Sequence, residues 1–130
     1  MCIRDRLSDA HWTRLHVFPY SERPGTKALQ LEGVVPRGER KRRAAELREM
    51  SLGRWRQKAQ EQIGRNKKIL VLNSSQGIRG LSRDYWDVVV TDDVQYASRW
   101  RGQEIDVRIT GLGPERSNQM EPPLLAEVVL

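Results

Sequence analysis

The hydrophobic positions of this chain change period twice. Residues 12–18 end in the apolar run Leu15-His16-Val17-Phe18, which predicts a short buried strand that stops at Pro19. From Arg37 to about Ile63 the period is helical. Ala44, Leu47, Ser51, Trp55, Ala59 and Ile63 recur at three- and four-residue steps and mark one face. Pro36 suits the start of that helix, because its missing N–H would be unpaired there anyway. Gly64, followed by Arg65 and Asn66, is a stop signal. Gly53 costs about 1 kcal/mol relative to alanine and is the expected place for a kink or break.

After residue 66 the pattern becomes β-like. Ile69–Leu72 and Tyr85–Thr91 are β-rich runs separated by Ser, Gly and Asn. Ile105, Val107 and Ile109 alternate with polar residues, and "LLAEVVL" forms a final strand. Short strands with glycine-bearing turns predict a small closed antiparallel barrel of OB-like size. The expected fold class is therefore α+β: a strand, a long loop over 19–36, a basic helix over 37–65, and a barrel over 66–130.

Composition narrows the picture. The 130 residues suffice for one domain, or for one small domain plus a piece of another. With 38% hydrophobic residues and a mean hydropathy of −0.68, any core is modest. No apolar run approaches the roughly 20 residues that span a bilayer, and no signal-peptide pattern is seen. A soluble, cytoplasmic protein without a membrane partner is expected. Cys2 is the single cysteine, so this chain alone cannot assemble a disulfide, a four-cysteine zinc site or a cysteine-ligated cluster. The opening "MCIRDR" matches the translation of a transposase adapter used in preparing sequencing libraries. On this reading residues 1–6 are not biological, the coding sequence enters near Leu7, and the chain is a fragment.

Charge singles out the middle. Residues 37–68 carry twelve Lys/Arg against four Asp/Glu, whereas residues 69–130 carry six against nine. A concentrated basic stripe is the electrostatic footprint of a polyanion partner, and a solvated helix face is the alternative. The cations expected to meet phosphate are Arg40, Lys41, Arg42, Arg43, Lys67 and Lys68. Arg79, Arg83, Arg99 and Arg101 are expected to make local contacts from the barrel. Trp100, between Arg99 and Arg101, is the best placed of the tryptophans to stack on a base. Trp55 falls on the apolar helical face and is assigned to core packing. Of the neighbours Tyr85 and Trp86, one must point outward. His11 and His16 have no carboxylate at ligand spacing, so no metal site is read, and His16 is taken as a strand residue facing the packing.

The stretch "HVFPYSERPGT", residues 16–26, resembles the end of the radical SAM barrel in the methylthiotransferases, and most of all the branch acting on N6-threonylcarbamoyladenosine in tRNA. "ERKRRAAELREMS" is similar to the connector helix of that family. "KKILVL", "GLSRDYWDVVV", "GQEIDVRITGL" and "LLAEVV" are similar to the strands of its TRAM domain. The resemblance covers residues 8–130. It implies a parent whose partial (β/α) barrel uses S-adenosylmethionine and two 4Fe–4S clusters to methylthiolate C2 of the nucleoside at tRNA position 37, with the TRAM barrel gripping tRNA. The cluster cysteines would lie outside this chain, which by itself would bind neither cofactor. Residues 7–36 would be the end of the radical SAM barrel. Tyr20, Ser21, Arg23 and Thr26 would border S-adenosylmethionine or the substrate base. Arg23 offers a planar fork suited to a carboxylate; the alternatives are that it pairs with Glu22 and that Pro24-Gly25 simply makes a turn. A non-catalytic, free-standing RNA-binding module is the competing function, and the motif at 15–26 argues against it.

Overall fold

The structure is a computed structural model and describes residues 3–73, 77–92, 97–114 and 121–129. The chain forms two compact units, Met1–Trp55 and Arg56–Leu130.

The first unit holds helix α1 (Ile3–Asp9), a short 3-10 turn (Lys27–Gln30) and most of helix α2 (Arg37–Gln60). No strand forms over 12–18, contrary to the pattern of that run. A strand needs a ladder neighbour, and among the described residues none is paired with this segment. Side chains of α2 take the neighbour's place. The Leu15 N–H donates to Ser51 Oγ at 2.8 Å, and Arg48 Nη2 donates to the Val17 carbonyl at 3.0 Å. Arg54 donates to the carbonyls of Ala10 and Ser8 at 2.7 and 2.8 Å, with its guanidinium 4.1 Å from the Trp12 ring centroid. Arg40 Nη1 donates to the Tyr20 carbonyl at 3.3 Å. The partners ascend the segment as they descend the helix, so the segment is an extended strap antiparallel to α2. His16 is exposed beside Arg14 rather than packed.

The helix face is as the periodicity describes. Ala44, Ser51, Trp55 and Ala59 are buried and Leu47 is half-buried. Ile63 is exposed because the helix ends at Gln60. Gly53 does not interrupt α2. Gly64 lies four residues past the end of α2: its φ of +83° turns the chain toward the barrel, and its N–H donates to the Ile109 carbonyl at 2.8 Å.

The second unit is a closed barrel of β1 (Asn66–Asn73), β2 (Arg79–Ser82), β3 (Asp87–Val90), β4 (Glu104–Leu112) and β5 (Leu124–Val128). The strand order is β1-β2-β3-β5-β4, with β4 closing on β1. The expectation of a purely antiparallel barrel needs one correction, since β3 and β5 pair in parallel. β5 inserts between β3 and β4, and its antiparallel pairing with β4 sets its direction along β3. Ile69, Val71, Val88, Val90, Val107, Ile109, Leu124 and Ala126 point inward at alternate positions and, with Ile78, fill the interior.

β2 went unread in the hydrophobic pattern, though the resemblance through "GLSRDYWDVVV" includes its Gly80–Ser82, because half of it is Arg79 and Gly80. That glycine is a steric requirement: a β-carbon there would lie 2.5 Å from the Leu70 carbonyl oxygen across the β1–β2 pair. Gly80→Ala is therefore expected to lower barrel stability by about 1–3 kcal/mol, read from the urea unfolding midpoint. Gly53→Ala meets open space in a continuous helix and should instead stabilise by about 0.5–1 kcal/mol.

Candidate nucleic-acid interface

Within the first unit, the loop after the strap is ordered by a turn and by one arginine. Arg23-Pro24-Gly25-Thr26 closes with Thr26 N–H and Thr26 Oγ1 both donating to the Arg23 carbonyl, at 3.3 and 2.9 Å. Gly25 has φ +81°, so proline and glycine occupy the positions a type II turn prefers. Arg40 binds the opposite side of the loop. Its Nη2 pairs with Glu22 at 2.6 Å, its Nε donates to the Val35 carbonyl at 2.6 Å, and its guanidinium stands 5.0 Å from the Tyr20 ring centroid. The pairing holds the Glu22 carboxyl below the usual carboxylate range.

Glu22 thus pairs with Arg40, not with Arg23. Arg23 is exposed and makes no side-chain hydrogen bond or ion pair among the described residues, and Ser21 is likewise exposed. Thr26 commits its hydroxyl to the turn. The structure brings Tyr20 and Arg40 together. It leaves Arg23 as the open guanidinium of the loop.

The cations of α2 divide into two sets. Arg40, Arg48 and Arg54 hold the strap, and the Arg40 side chain is only 11% exposed. Lys41, Arg42 and Arg43 are exposed. Arg42 forks onto Glu39 at 2.7 and 2.8 Å and also reaches Glu46; Arg43 Nε bonds Glu39 at 2.8 Å. Hydrogen bonds from Arg42 and then Arg43 hold the Glu39 carboxyl down at about 2. Lys41 has no such partner among the described residues.

The barrel divides its cations in the same way. Lys67, with a side chain 10% exposed, is committed to Asp84. Lys68 pairs with Asp106 at 2.7 Å on the outer face. Arg79 and Arg83 form two-pronged pairs with Asp87 and Glu104, at 2.7–2.9 and 2.6–2.9 Å. Arg99 has an interaction partner of its own, Trp100 is half-buried, and Arg101 is exposed. Trp86 is buried and Tyr85 is 84% exposed, so Tyr85 is the outward member of that pair. Sequence reasoning left Tyr85 out of the candidate site. Its left-handed backbone carries no marker in the sequence, because glycine or asparagine usually fills such a position.

The donor set does not suit an iron–sulfur cluster. Such clusters are held by several thiolates, this chain has one cysteine, and no group of three His, Cys, Asp or Glu side chains gathers among the described residues. What the residues offer is binding chemistry: exposed guanidinium and ammonium groups such as Arg23, Lys41 and Arg101, and the exposed rings of Phe18 and Tyr85.

A basic helix followed by an OB-like barrel defines a small α+β protein. No known family model matches the chain. It is 36% identical over 72 residues to the threonylcarbamoyladenosine tRNA methylthiotransferase MtaB of Rickettsia prowazekii (strain Madrid E), covering 55% of this chain and 17% of that protein. It is 30% identical over 114 residues to the ribosomal protein uS12 methylthiotransferase RimO of Cupriavidus necator, covering 82% of this chain and 26% of that protein. The same tRNA enzyme of Thermotoga maritima is 36% identical over 67 residues, 49% of this chain and 15% of the relative. These partial homologies support kinship with the methylthiotransferases. The chain spans between about a sixth and a quarter of the length of the curated relatives it matches. Among the described residues no helix is long and apolar enough to cross a membrane.

Asp84 yields a pH prediction. Burial pushes its carboxyl up, but hydrogen bonds from Lys67 and Ser82 outweigh that and hold it below its ordinary 3.8. A carboxylate lowered by folding stabilises above its unfolded value, and that contribution disappears as pH falls through the folded value. The Ser82–Trp86 turn should therefore loosen only below about pH 3.8. Lys67→Met should leave burial dominant and move the Asp84 midpoint upward. An NMR titration of the Trp86 amide checks both; an unmoved midpoint would show that Lys67 does not set it.

Proposed function

We propose that this chain is the RNA-gripping C-terminal part of a radical SAM methylthiotransferase that modifies N6-threonylcarbamoyladenosine in tRNA. The observation that carries the reading is the pairing of partial homology to methylthiotransferases with a basic helix and an OB-like barrel in one short chain. On this reading the barrel is a TRAM domain in the cytoplasm, and residues 7–36 finish the catalytic barrel of the parent. S-adenosylmethionine and both clusters are then held chiefly by parts of the parent outside this chain, and no chemical step is assigned to the residues present. Tyr20, Ser21, Arg23 and Thr26 lie on the loop that would border the cofactor or substrate, with Arg23 the group free to take a carboxylate.

The tRNA contact rests on the exposed cations. Arg40 and Lys67 are occupied internally, so Lys41, Arg42, Arg43, Lys68 and Arg101 carry the electrostatics, with Arg79, Arg83 and Arg99 contributing through groups already paired. Surface ion pairs are worth about 0–1 kcal/mol, so phosphate can displace the carboxylates of Arg42 and Arg43.

The length of the overlap with the uS12 enzyme, 114 residues, favours a second reading in which the parent acts on a ribosomal protein. Titrating the chain with labelled tRNA and with purified uS12 separates the two. The tRNA reading expects weak, salt-dependent binding to tRNA. It also expects that changing Lys41, Arg42, Arg43 and Arg101 together to serine flattens the log K against log salt slope by roughly 0.7–0.9 for each phosphate no longer neutralised. An unchanged slope, or binding to uS12 alone, would overturn it.

A further inference from the structure

Within the β2–β3 connection, three residues, Arg83-Asp84-Tyr85, form a tight loop between the hydrogen-bonded Ser82 and Trp86. Ser82 N–H donates to the Trp86 carbonyl, and Tyr85 N–H donates to the Ser82 carbonyl, both at 2.9 Å. In such hairpins the last loop residue is left-handed and is usually glycine or asparagine. Here it is Tyr85, with φ +66°, the one non-glycine residue with positive φ among those described. A bulky side chain in this region is strained and persists only where its surroundings over-determine it.

Those surroundings are dense on one side only. Ser82 Oγ donates to Asp84 at 2.7 Å and accepts from the Trp86 N–H at 2.8 Å, while Lys67 holds the other Asp84 oxygen. Ser82 and Trp86 are both buried. The tyrosine ring gains nothing from this network: it is 84% exposed and its hydroxyl makes no hydrogen bond among the described residues. A strained backbone is thus fixed by its neighbours while the side chain faces outward. Folding stability alone gives no reason for an aromatic residue there.

We infer that Tyr85 is a stacking platform for an unpaired base of a single-stranded RNA segment. The proposal rests on the RNA-binding reading above and adds to it a site and a mode of contact. An exposed, pre-positioned ring supplies a π-face for any base, and its fixed backbone lowers the ordering cost on binding. Arg83, two residues earlier in the same loop, carries a guanidinium that pairs with Glu104. Its pair with Glu104 is exposed, so it can yield to a phosphate.

The test compares the whole chain with Tyr85→Asn and Tyr85→Phe. Asparagine tolerates the left-handed backbone and removes the ring; phenylalanine keeps the ring and removes the hydroxyl. The probe is a fluorescein-labelled single-stranded RNA of about 12 nucleotides, within the range an OB-type site covers. Tyr85→Asn should bind about five- to 150-fold more weakly. Its salt slope should be unchanged, since stacking releases no counterions, and its melting temperature equal or higher, since strain is relieved. Tyr85→Phe should bind like the wild type. If the wild type binds and Tyr85→Asn binds equally, the platform is overturned while the RNA reading stands. If the wild type does not bind at all, both fall. A lower melting temperature for Tyr85→Asn would show that the ring serves the fold, and would also overturn the proposal.

Discussion

An extended backbone presents an N–H and a C=O at every residue, and each must find a partner wherever water is excluded. Both units are shaped by that constraint. The barrel meets it by closing: β1 pairs with β2 on one side and β4 on the other, so the sheet has no open edge there. The strap over residues 10–20 meets it with donors and an acceptor from α2, namely Arg40, Arg48, Ser51 and Arg54. A guanidinium suits this task because it carries five donors in a rigid fork and can reach several carbonyls from one side chain.

This use of arginine changes the meaning of the basic segment. Net charge over 37–68 describes how many cations there are, and the hydrogen bonds describe which ones are available. Arg40 is the clearest case. A residue that sits in the most basic run of the chain is nearly enclosed, tying Tyr20, Glu22 and Val35 to the helix. Its neighbours Lys41, Arg42 and Arg43 remain outside. Lys67 and Lys68 repeat the contrast in the barrel, where strand alternation sends one ammonium to Asp84 with a 10% exposed side chain and the other to the outer surface.

Much of the fold was legible in the sequence. Helical spacing located the face of α2 through Ala44, Ser51, Trp55 and Ala59; β-rich runs located β1 and β3, period-two alternation located β4, and the closing apolar segment located β5. The failures have physical causes. The Leu15–Phe18 run has a strand's composition, but composition says nothing about whether a ladder neighbour exists. β2 is hidden because a glycine dictated by close approach to Leu70 interrupts its pattern. The parallel β3–β5 pair depends on strand order, which local patterns do not encode. At the candidate site, residue type identified the cations but not which are exposed, since Arg40 and Lys67 are nearly enclosed. It could not foresee that Glu22 would pair with Arg40 in place of Arg23, nor that Tyr85 would adopt a left-handed backbone.

Attachment of the strap to the helix side chains encloses Arg40, engages Arg48 and Arg54 in hydrogen bonds to backbone carbonyls, and sets the loop that carries Arg23. Amide hydrogen exchange at Leu15 measures it directly. The Leu15 N–H should exchange well below its unfolded rate in the intact chain, and Ser51→Ala should abolish that protection while leaving the barrel amides of Val71 and Val107 protected. A Leu15 amide that exchanges at the unfolded rate in the wild-type chain would contradict the account.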